Sequence, residues 1–127
     1  MSSFTKPLIA KHLDGRLWEL TEGFEYYTDN TAIQVPKGFI CDFASIPRFA
    51  WSIIDHPTGP AGKAAVIHDY LYRVGKPFNR KQSDQIFLEG MEVLKIPEWK
   101  RNIMYRFVRI FGFFPWRKYR TQYQTIT

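Results

Sequence analysis

The stretch AAVIHDYLYRVG, residues 64–75, sets His68 beside Asp69 in a run whose other side chains are mostly small, aliphatic or aromatic. An imidazole can act as a general base near neutral pH, and a carboxylate can orient it. At helical spacing His68 shares a face with Ala64, Leu71 and Tyr72. Asp84 falls on the same stripe as Phe87 and Met91. Each of two apolar faces therefore carries one ionisable group. A buried carboxylate is costly unless paired, so a His68–Asp84 hydrogen bond satisfies both groups. It also has the geometry of a base with an orienting partner. The same pair can instead be a structural tie between two core helices, because scaffolds use buried ion pairs too. Asp69, about 100° further round the helix, is a carboxylate that such a tie does not need. Asp42, in GFICDFASIPR, sits where a strand leads into a loop. One histidine and three aspartates are thus candidates for a single small site.

The elements that would position them are legible in outline. RLWEL, FEYYTD, TAIQVP and FICDF, within residues 16–43, are rich in aromatic and β-branched residues. Asp29-Asn30 and Pro36-Lys37-Gly38 mark turns between them, which predicts a small antiparallel meander. Residues 44–62 are read as a short helix near 48–54 followed by a loop rich in Gly and Pro. From Lys63 the period becomes helical, and Gly75-Lys76-Pro77 supplies a cap and a breaker. Asn79 is placed to cap a second helix, and the short connection predicts antiparallel neighbours that bring Asp84 toward His68. Pro97 opens a third helix over 98–111, carrying Lys100, Arg101, Arg106 and Arg109 among apolar residues. The tail, 112–127, is aromatic and basic and is expected to be irregular. The expectation is one α+β domain over 1–127, with a small antiparallel β-meander (1–43) packed against about three helices (63–111).

At 127 residues and 45% hydrophobic, the chain can bury one substantial core. No apolar stretch approaches the roughly 18 to 20 residues that span a bilayer. The N-terminus lacks the apolar centre of about 7 to 15 residues that marks a signal peptide. A single cysteine, Cys41, excludes an internal disulfide framework, and folding in a reducing cytosol is expected. The charge is uneven: 10 Lys or Arg face 11 Asp or Glu up to residue 94, whereas 8 face 1 from residue 95 onward. Such a basic end suits an acidic protein face, anionic lipid or nucleic acid. Nucleic acid is the least expected of these, since no reading motif accompanies it.

The blocks GFICDFASIPR, AAVIHDYLY and SDQIFLEGM, in that order, resemble a widespread family of uncharacterised phage and prophage proteins, catalogued as a domain of unknown function. The similarity covers about residues 35–112. It implies a phage origin and a place among tail or late virion genes, with synthesis in the bacterial cytoplasm. The paired helices alone are similar to those of secreted calcium-dependent phospholipases of the A2 type. That resemblance implies His68 as the base that activates water, Asp84 as its orienter and Asp69 as a calcium ligand. Those enzymes have cysteines around the motif and this chain has none there, and their glycine-rich calcium loop has no counterpart unless Asp42 and the backbone of 38–45 stand in for it.

Other candidates are weaker. His12 and His56 have no spacing that links them to a metal set, and Cys41 in a strand is read as packing. A zinc hydrolase would need His68, Asp69, Asp42 and Asp84 to converge. Arg48 and Arg73 could brace the carboxylates. Phosphate loops and nucleophile elbows are missing. Two functions from different classes are therefore expected: a tail-associated virion component, or a small hydrolase of lipid or other cell-envelope esters. The first would dock on other virion proteins, or on a lipid surface, through Phe113, Phe114, Trp116 and Arg117.

Overall fold

The computed structural model describes residues 3–4, 7–14, 17–28, 31–43 and 60–126. Within them the chain is α+β, with strands first and helices after. The strands are β1 (Ser3–Phe4), β2 (Ala10–Asp14), β3 (Leu17–Leu20), β4 (Phe24–Tyr27), β5 (Ala32–Val35) and β6 (Ile40–Cys41). They pair antiparallel in two three-stranded sheets, β1-β4-β5 and β2-β3-β6, rather than in one meander. The division arises because β3 pairs Trp18 and Glu19 with Cys41 and Ile40 of β6 and leaves β4 to pair with β5. Backbone bonds from Leu20 N–H to Phe39 (2.9 Å) and from Gly38 N–H to Leu20 (2.8 Å) fasten the chain at that switch. Strand β2 was not anticipated. It lies at a sheet edge with most of its side chains exposed, so it carries no alternation of apolar and polar residues.

Four helices follow among the described residues: α1 (Gly62–Val74), α2 (Arg80–Val93), α3 (Glu98–Phe111) and α4 (Phe113–Ile126). Gly75 closes α1 in the left-handed region, φ 69°, with its N–H on Leu71 O. Asn79 caps α2 through a reciprocal pair with Gln82. Helix α1 packs on α2, α2 on α3, and α4 against α1 and α3. The core lies between these helices and the sheets, where Phe24, Tyr26 and Phe43 meet Ile67, Phe87 and Met104.

Helix α4 corrects the expectation of an irregular tail. Gly112 keeps right-handed helical angles (φ −69°, ψ −14°), so one residue joins α3 to α4. Pro115 then falls in the first turn of α4, where a missing N–H costs nothing. A side chain at Gly112 would strike the Tyr72 hydroxyl, so glycine lets this corner close on α1. No helix among the described residues is long and apolar enough to cross a membrane. The expected helix near 48–54 lies outside the described residues.

Candidate functional site

Helix α1 presents two neighbouring faces, and each holds a buried carboxylate system. On the first, His68 Nε2 lies 2.7 Å from Asp84 Oδ1, and both residues are 0% exposed. Tyr72, one turn beyond His68, donates its hydroxyl to the same oxygen at 2.6 Å. Arg109 of α3 donates from Nη1 to Asp84 Oδ2 at 2.7 Å, and Arg80, one turn before Asp84, adds a longer contact of 3.4 Å. Arg80 also donates to the carbonyls of Val108 and Arg109, at 3.2 and 2.8 Å, where a cation meets the negative end of α3.

Burial alone would raise the Asp84 carboxyl. The hydrogen bond and charge of His68, then the bonds from Tyr72 and Arg109, outweigh it and hold the group below the ordinary carboxylate range. Asp84 is thus an anion in a dry setting. Burial first and the Asp84 charge next push the Tyr72 phenol well above its usual value, which keeps it a donor. Facing a carboxylate, His68 Nε2 carries the hydrogen, so a neutral ring has its lone pair on Nδ1. The ring lies against Tyr72 and Phe87, with centroids 4.2 and 4.7 Å away.

On the second face, Asp69 Oδ2 accepts the backbone N–H of Asp42 at 2.9 Å and of Phe43 at 3.4 Å. Phe43 has φ 54°, a left-handed conformation uncommon for a bulky residue, at the point where two successive amides turn onto one oxygen. Asp69 thereby anchors the exit from β6. Its carboxyl is pushed up to about 7, by burial first and the Asp42 charge second, against Arg73 and the two backbone bonds. Asp42 in turn receives the Tyr119 hydroxyl on both oxygens, at 2.9 Å each, and Arg73 Nη2 at 3.4 Å. The Arg73 guanidinium sits over the rings of Phe39 and Tyr119.

The four sequence candidates therefore come together as two pairs, His68 with Asp84 and Asp69 with Asp42. The reason is angular: adjacent helical residues point about 100° apart. Among the described residues, no group of three or more His, Cys, Asp or Glu side chains is placed to hold a metal ion. His12 lies on β2 with its ring beside Trp18. Arg48 and His56 lie outside the described residues. Sequence reasoning missed Arg80, Arg109 and Tyr119 as partners of these carboxylates. The spacing of Arg80 and Asp84, four apart on one helix, was a usable signal for the first. Phe113 and Phe114 are exposed, whereas Trp116 turns inward, edge-on to Tyr72 and stacked under Arg120.

A family model described as a protein of unknown function, DUF1353, matches residues 18–108. That segment contains Asp42, His68, Asp69 and Asp84 and ends before Arg109 and α4. The chain is 38% identical over 98 residues to the uncharacterised protein y4jT of Sinorhizobium fredii (strain NBRC 101917 / NGR234), a match covering 76% of this chain. It spans only 29% of that longer relative. No solved structure matches. With most of its length, and all four aspartate and histidine candidates, inside the matched segment, the chain belongs to the DUF1353 family of proteins of unknown function.

Proposed function

We propose that the chain is a phage- or prophage-encoded, tail-associated virion protein that hydrolyses an ester of the cell envelope, with His68 as general base and Asp84 as its orienting partner. One observation carries the chemistry: the 2.7 Å bond from His68 Nε2 to an Asp84 that Tyr72 and Arg109 keep anionic. In that arrangement the His68 imidazole takes a proton from water as the water oxygen attacks the ester carbonyl. Asp84 stabilises the imidazolium, which then returns the proton to the departing alkoxide. The virion assignment is supported by the three sequence blocks that resemble phage and prophage proteins.

A second reading is favoured by burial. His68 and Asp84 are both 0% exposed, which suits a structural tie, and hydrolysis requires the cover over His68 to open. The experiment compares the wild type with His68→Ala on phospholipid and simple esters, with and without calcium, alongside urea unfolding. The hydrolytic reading expects activity that His68→Ala abolishes at modest cost in stability. An inactive wild type, with a loss of about 3 to 5 kcal/mol in the variant, leaves only the tie. Calcium is one arm of the assay because Asp42 and Asp69 lie together, although they make only two of the ligands such an ion needs.

A further inference from the structure

The corner where α3 meets α4 carries the two most exposed large apolar side chains of the described residues, Phe114 at 71% and Ile110 at 64%, with Phe113 beside them at 45%. Apolar groups this open on neighbouring positions mark a contact surface. The charge around them has one sign. Arg106 lies one turn before Ile110, Arg117 one turn after Phe113, and Lys118 one turn after Phe114, all three exposed. The Arg117 guanidinium lies over the Phe113 ring, 5.8 Å from its centroid. From residue 95 onward the single acid is Glu98, at the far end of α3.

We propose that this corner docks on an anionic lipid bilayer, with Ile110, Phe113 and Phe114 entering the acyl boundary and Arg106, Arg117 and Lys118 meeting the phosphates. The mixture selects this partner. Exposed apolar side chains and cations share the corner, one helical turn apart along α3 and α4, which matches a surface that offers both anionic headgroups and an acyl interior. An acidic protein face would answer the cations and leave the open apolar side chains unaccounted for. The docking stands on this corner alone; its link to chemistry rests on the proposed hydrolysis and narrows the substrate to a phospholipid ester. That link is physical. Arg109, next to Ile110, holds Asp84, while Trp116 and Tyr119 on the inner side of α4 touch Tyr72 and Asp42.

The test is co-sedimentation of the full chain with vesicles of phosphatidylcholine, with and without phosphatidylglycerol. The wild type is expected to bind the anionic vesicles only, and less as salt rises. Arg117→Ala and Lys118→Ala should each weaken binding about fivefold. Ile110→Ser/Phe114→Ser, with its circular dichroism and melting unchanged, should weaken it about tenfold or more. His68→Ala should bind as the wild type does, which separates docking from hydrolysis. No binding by the wild type would overturn the proposal and leave the corner to a protein partner. Binding that ignores the Ile110/Phe114 change would also overturn it, since that is adsorption of a basic protein by charge alone. Hydrolysis of soluble esters without vesicle binding would sink the docking and spare the chemistry; binding without hydrolysis would do the reverse.

Discussion

Asp84 and Asp69 are both buried carboxylates, and their surroundings drive them in opposite directions. Asp84 gathers a histidine, a tyrosine and two arginines, and is held below the usual range. Asp69 gathers two backbone amides and the nearby Arg73 charge while facing a second carboxylate, and is raised to about 7. Burial is common to both, so the partners decide the charge. At Asp84 the direct bonds from His68, Tyr72 and Arg109 outweigh burial, whereas at Asp69 burial and the Asp42 charge outweigh Arg73 and the two amides. The first environment is built to keep an anion beside an imidazole. The second is built to fix the chain leaving β6.

The largest test of that contrast removes Asp84. Asp84→Ala removes the acceptor that His68, Tyr72 and Arg109 share, and a loss of about 3 to 5 kcal/mol is expected in urea unfolding. A loss under about 1 kcal/mol would mean that water serves these donors equally well.

Next in size is the response to pH, where the two acids carry opposite signs. Asp84 lies below its ordinary value of 3.8, so its contribution to stability is present above that value and fades as pH falls through its lowered folded value. Asp69 lies above 3.8, so its contribution is full below that value and fades as pH rises toward about 7. Asp69→Asn keeps an oxygen for the two amides and removes the titration. Its stability should change less than that of the wild type between about pH 4 and 7, and the variant should gain relative to it near pH 8. Parallel curves for the two proteins would show that Asp69 ionises as an ordinary carboxyl.

The smallest effect belongs to Tyr119→Phe, which removes a hydroxyl shared by both oxygens of Asp42. About 1 kcal/mol is expected, together with faster amide exchange in α4 than in α2. Unchanged exchange would show that apolar contacts alone seat α4.

The sequence revealed the α1–α2 pair because each of its signals is local. Gly75 and Asn79 bracket the connection, and the stripes through His68 and Asp84 set the facing sides. The donors on Asp84 were harder to see. Arg109 reaches it from 25 positions away, at a place set by how α3 crosses α2, and no periodicity reports a crossing. Gly112 and Pro115 misled for a different reason: both are breakers inside a helix, yet one is a joint and the other sits where a first turn tolerates it. The division of four candidate residues into two pairs follows from a single step along α1, from His68 to Asp69. That step was visible, but the partner waiting on each side was not.

Arg109 lies one position beyond the segment that the family model matches, and Tyr119 eleven. A protein trimmed to residues 18–108 would bury Asp84 without its shortest arginine contact and leave Asp42 without its tyrosine. The piece defined by likeness is therefore smaller than the piece that neutralises its own interior. For anyone cutting or fusing this chain, the useful boundary is where the buried charges balance, and that boundary falls within α4.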